Sequence, residues 1–131
     1  MLFGRSKANP KVRSDWFELE FDQKYKCWTL NYRGIEFSFS GTELALPERA
    51  TLDNYIEWVD ARRDHIDARI QDMVGPTPDV FIDTSKARIA QIEVERPGRI
   101  AVMVLGDDTW GDMGYDLWIE NGEIVNEGFS D

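Results

Sequence analysis

Period-two alternation dominates this chain, and one stretch alone departs from it for a helical repeat. In "DWFELEFD", Phe17, Leu19 and Phe21 point one way, while Trp16, Glu18, Glu20 and Asp22 point the other. That is how a strand with one buried face reads. "YKCWTLNY" is a second strand, with Trp28 and Leu30 on one face. "IEFSFS" is a third, with Ile35, Phe37 and Phe39 inward. "RG" at 33–34 is a tight turn in which Gly34 supplies the positive φ. Together these segments predict an antiparallel meander.

The helical stretch follows the connector "GTELALPERA". Apolar residues recur at Leu52, Tyr55, Ile56, Val59, Ile66, Ile70, Met73 and Val74, and these steps make one stripe. The opposite face carries Glu57, Asp60, Arg63, Asp64, Asp67 and Gln71. Thr51 is placed to cap the start, with Asp53 favourable in the first turn. Gly75 and Pro76 stop the helix. A single long helix lying across the sheet is expected. Residues 76–88 carry no clear period.

Strand character returns in "ARIAQIEVER", with Ile92 and Val94 inward, and continues after the "PG" turn at 97–98 in "RIAVMVLGD". The latter is apolar on both faces, as a central strand would be. "YDLWIE" and "EIVNEGF" flank Asn121-Gly122, the strongest local hairpin signal in the chain. The order β-β-β-α-β-β-β-β predicts an α+β domain. Its sheet is expected to be mostly antiparallel: a three-strand meander, one long helix on one face, then about four strands. Residues 1–13, with Arg5, Lys7, Lys11 and Arg13 and no acid, read as a flexible basic tail. Residues 14–131 read as a single domain, which suits a length of 131.

The formal net charge is −10, and after Arg99 there is no Lys or Arg at all. Such a balance opposes nucleic-acid binding, since phosphates are repelled. It suits a basic protein partner drawn in by long-range attraction. "KYKCWTLNYR" interleaves Tyr25, Trp28 and Tyr32 with Lys24, Lys26 and Arg33, but the acidic C-terminal stretch counts against reading it as a nucleic-acid strip. Cys27 is the one cysteine, so no internal disulfide is possible and a reducing compartment fits. No run reaches membrane-spanning length, and a cytoplasmic location is expected.

Signals for chemistry are sparse. His65 is the one histidine and sits in mid-helix, so a nucleophile triad would need it to meet Cys27 by chance. Cys27 lies in a strand without a glycine-rich elbow or helix start to activate it. "GDDTWGDMGYD" at 106–116 offers Asp107, Asp108, Asp112 and Asp116 as hard oxygen ligands, but not at the spacing of a calcium-binding EF-hand loop. Aspartate and glycine also build turns. The remaining feature is aromatic rings beside acids. Trp110 lies among Asp107, Asp108 and Asp112; Trp118 alternates against Leu117; and Trp16 lies on the acidic side of the first strand. Tryptophan is favoured as an interface anchor, and surrounding acids would steer a basic partner.

"FELEFDQKYKCWTLNYRGIEFSFS", a helix, and "IEVERPGRIAVMVLGDDTWGDMGYDLWIENGEI" together resemble a bacterial family of uncharacterised domains with an acidic DD-x-WG loop before the last hairpin. Domains similar in look occur among immunity proteins, which bind and neutralise a toxin. The specific part of the resemblance is Asp107, Asp108, Trp110 and Gly111. The family often has histidine after that glycine, where this chain has Asp112, and this speaks against catalysis or metal binding by the loop. The expectation is therefore a non-enzymatic inhibitor of a basic toxin domain, without cofactor. Asp107, Asp108, Trp110, Asp112, Trp118 and Glu120 are its expected partner-binding residues. The alternatives are a small metal-dependent hydrolase using Asp107, Asp108 and Asp112, or a structural or regulatory homodimer subunit.

Overall fold

In the computed structural model, which describes residues 10–40, 46–74 and 82–130, eight strands form one sheet in chain order. They are β1 (Lys11–Arg13), β2 (Glu18–Asp22), β3 (Cys27–Tyr32), β4 (Ile35–Ser40), β5 (Arg88–Arg96), β6 (Arg99–Leu105), β7 (Gly114–Glu120) and β8 (Glu123–Ser130). All neighbours are antiparallel except β4 and β5, which run parallel. Two helices, α1 (Arg49–Asp60) and α2 (Arg63–Val74), fill the β4–β5 crossover, the connection that parallel neighbours require. The expected three-strand meander, single long helix and four strands are thus corrected to an eight-stranded mixed sheet with two helices.

Each departure has a local cause. The apolar stripe steps from Val59 to Ile66, and the positions three and four after Val59 are Arg62 and Arg63. With no apolar side chain there to hold the helix on the sheet, the chain bends at Ala61–Arg62, where the Arg62 amide bonds back to Val59 O at 2.9 Å. Both arginines reach past the core to carbonyls: Arg62 to Gly122 O (3.0 Å) and Arg63 to Ala87 O (2.7 Å). The helix also starts at Arg49, so Thr51 lies inside it and Glu48 occupies the N-cap without a side-chain bond. Asp53 instead accepts from Tyr32 Oη (2.7 Å) and Arg33 Nη1 (3.2 Å). At the N-terminal end, Lys11–Arg13 pair with β2 rather than belonging to a tail. Residues 1–9 of the expected tail, and the side chains of Met73 and Val74, lie outside the described residues.

Cross-strand register makes the core a straight line. Leu30, Phe37, Ile92, Val102 and Leu117 lie opposite one another across β3 to β7, and each is buried. Leu52, Tyr55, Ile56 and Val59 of α1 and Ile66 and Ile70 of α2 join the same cluster. Each such side chain contributes about 1.5–3 kcal/mol by burial. Tight turns close the hairpins as expected: Arg33-Gly34 (φ 53°, 76°) and Asn121-Gly122 (φ 50°, 83°) both take two successive positive φ values, the geometry that matches strand twist.

Candidate functional site

The segment between β6 and β7 is a brace. Asp108–Trp110 form one 3-10 turn, and Asp107 caps it: its Oδ1 accepts from the Thr109 amide (3.0 Å) and the Thr109 hydroxyl. Thr109 Oγ1 in turn accepts from the Asp83 amide (2.9 Å), and Trp110 Nε1 donates to Asp83 O (2.8 Å). The Trp110 ring is only 2 % exposed. It lies so close over Gly106 that a Cβ there would meet the ring at 2.1 Å. Trp110 therefore offers no surface to a partner, and Asp107 is committed to the turn. Asp108 and Asp112 remain exposed.

The opposite fate befalls Trp118. Strand alternation sends it to the sheet face away from the helices, half-buried. The row through it runs Lys11, Glu20, Thr29, Ser38, Glu93, Ala101, Trp118, Asn126 across all eight strands. The next row brings together Asn31, Glu36, Gln91, Met103, Asp116 and Gly128. None of the buried core residues lies in these rows. Small and half-buried side chains thus form a floor, with Ala101, Met103 and Trp118 its apolar part and carboxylates around it. Between β3 and β5 the surface dips into an open concavity of about 530 Å³ whose lining includes Asp22, Glu36 and Glu93, one cation, Lys26, and Cys27 and Gln91.

The charges of this face are largely uncompensated. Among the described residues, no Lys or Arg comes within ion-pair reach of Asp22, Glu36, Glu93 or Asp116. Glu36 accepts from Gln91 Nε2 (3.1 Å) and Glu93 from Ser40 Oγ (3.2 Å), bonds that leave their charges in place. Glu120, at the end of β7, is different: Arg96 and Arg99 both pair with it, and the Arg96 hydrogen bond holds its carboxyl below the ordinary range. Partial burial, then Asp22, Glu93 and Glu36, push the Cys27 thiol up. This keeps it protonated and poorly nucleophilic.

His65 lies on the other side of the sheet from Cys27, so the two do not meet. Its Nε2 is 3.0 Å from Glu127 of β8, which also receives the Tyr115 hydroxyl and lies 3.7 Å from Arg69. Burial raises the Glu127 pKa, but the bonds from Tyr115 and His65 and the nearby positive charge outweigh it, leaving a net lowering. Burial, then Glu127, push the Tyr115 hydroxyl far above its usual range. The cluster ties α2 to the last hairpin, and the sheet separates it from Cys27. No spacing in the sequence announced it, because its members come from α2, β7 and β8. Among the described residues, no group of three or more His, Cys, Asp and Glu side chains is arranged to hold a metal ion, and no helix is long and apolar enough to cross a membrane.

Comparison with known proteins adds no relative: no family model, curated protein or solved structure matches the chain. Of the DD-x-WG residues, Asp107 and Trp110 serve the brace just described.

Proposed function

We propose that this chain is a non-enzymatic protein-binding domain, an immunity-type inhibitor that occludes a basic toxin domain. Its contact surface is the sheet face that no described segment covers. The observation that carries the reading is the combination on that face of a half-buried tryptophan, Trp118, with carboxylates that pair with no Lys or Arg among the described residues. Trp118, Ala101 and Met103 supply an apolar centre; Glu93, Glu36 and Asp116 supply the steering field. Asp108 and Asp112, at the end of the same two strands, extend the field. Glu120 is already neutralised and adds little. Inhibition follows by coverage: the basic cleft of the partner is filled by carboxylates in place of its substrate's negative charge. The hydrolase alternative loses Asp107, which is engaged with Thr109.

The test uses basic toxin domains as candidate partners, with binding followed by calorimetry and toxic activity assayed in parallel. Trp118→Ala should weaken binding by about tenfold or more, as an interface anchor does. The Glu36→Lys/Glu93→Lys pair should abolish the inhibition while the circular-dichroism spectrum is unchanged. Full inhibition by both variants would overturn the reading.

A further inference from the structure

The outer edge of β8 carries a second, independent surface. β8 is eight residues long and ends the sheet. No described segment pairs with its far side, and it contains neither Pro nor Lys, which commonly guard such edges; its one irregularity is a bulge at Val125, which the β7 register skips between Asn126 and Ile124. The Glu127 amide donates to the side-chain Oδ1 of its neighbour Asn126 at 3.0 Å. That amide accordingly faces away from β7, with only a local cap that a strand carbonyl would replace. Val125, at the middle of the strand, is 50 % exposed.

Charge decides what fits there. Each carboxylate of β8 is met by an arginine of the helices: Glu123 by Arg62 (3.3 Å) and Glu127 by Arg69 (3.7 Å), with His65 Nε2 also 3.0 Å from Glu127. The edge is therefore close to neutral although the chain carries −10. A basic partner gains nothing from it, while a second copy meets little local repulsion. An antiparallel edge is also complementary to itself under a two-fold axis. We propose that β8 is a self-association edge: the β8 of a second copy aligns antiparallel to it, and the antiparallel run β5–β8 continues across the axis.

Sedimentation velocity of the full chain over a wide concentration range tests this, with amide hydrogen exchange on the same samples. The wild type should convert from monomer to dimer with rising concentration, and the Glu127 and Phe129 amides should gain protection as it does. Val125→Glu places a carboxylate at the axis and should weaken dimerisation by about tenfold or more. Val125→Thr keeps the shape without charge and should dimerise like the wild type. Thermal melts of both variants report whether they fold. A wild type that stays monomeric throughout overturns the proposal. So does a dimer that is indifferent to Val125→Glu and leaves the β8 amides unprotected. Neither result touches the basic-partner reading, whose residues lie on the open face.

Discussion

Trp110 and Trp118 are eight positions apart, both flanked by aspartates or glutamates, yet they do opposite things. Trp110 is folded inward by a 3-10 turn and held by a bond to Asp83 O; Trp118 is turned outward by strand alternation, opposite Ala101 and Asn126. The difference teaches that an acidic, tryptophan-bearing segment says little about exposure. What decides is whether the backbone places the ring by a turn with its own long-range hydrogen bonds or by the period of a sheet.

Truncating the two rings should separate them most sharply. Trp110→Ala empties a core site and should cost about 3–5 kcal/mol in chemical denaturation, while Trp118→Ala should cost no more than about 1 kcal/mol. Equal costs would erase the distinction. Gly106→Ala comes next. Its Cβ would overlap the Trp110 ring, and overpacking of this kind costs about 1–3 kcal/mol. A neutral Gly106→Ala would mean that the ring swings freely.

Smaller effects sharpen the comparison inside the brace itself. Asp107→Ala removes the cap and should cost about 1 kcal/mol, whereas Asp108→Ala and Asp112→Ala should stay within about 0.5 kcal/mol. Titration with calcium or magnesium should show no binding tighter than about millimolar. A tight site lost in Asp107→Asn would revive the hydrolase reading.

The cluster behind the sheet gives a pH test. Glu127 has a lowered pKa in the folded chain, so its contribution is fully present above the unfolded carboxylate value and is lost as pH falls through the folded one. Stability of the wild type should drop more steeply than that of Glu127→Gln across this acid window, followed by thermal melts. Parallel profiles would mean that the cluster does not hold α2 to β8.

Much of the sheet was legible because alternation and turn chemistry are local. Asn121-Gly122 and Arg33-Gly34 mark their turns by residue type, and Phe37 and Ile92 mark the inner face by period. The break at Ala61–Arg62 was also written, in the missing apolar step between Val59 and Ile66, but a continuous stripe hides it. β1 was illegible: three residues are too few for a period, and only pairing with Glu18–Glu20 makes them a strand. The parallel β4–β5 pairing depends on where the crossover returns the chain, which no local pattern encodes. The Trp110 brace had a partial signal in Asp107-x-Thr109, the spacing of a capped turn, and in Gly106 beside it. Its anchor, Asp83, lies 27 residues away from Trp110, in a stretch without readable period. The His65–Glu127–Tyr115–Arg69 cluster was hidden for the same reason.

On the proposed reading, the sheet face that no described segment covers meets the partner, and the 106–113 segment holds the fold. The most direct measurement is the association rate, at low and moderate salt, of two reversal variants with a basic toxin domain that the wild type binds. One carries Glu36→Lys, Glu93→Lys and Asp116→Lys on the face; the other carries Asp108→Lys and Asp112→Lys at the loop. The account predicts that the face variant associates at least about tenfold more slowly and loses most of its salt dependence, with a clearly smaller change for the loop variant. A face variant that associates like the wild type, beside a loop variant that does not, would contradict it.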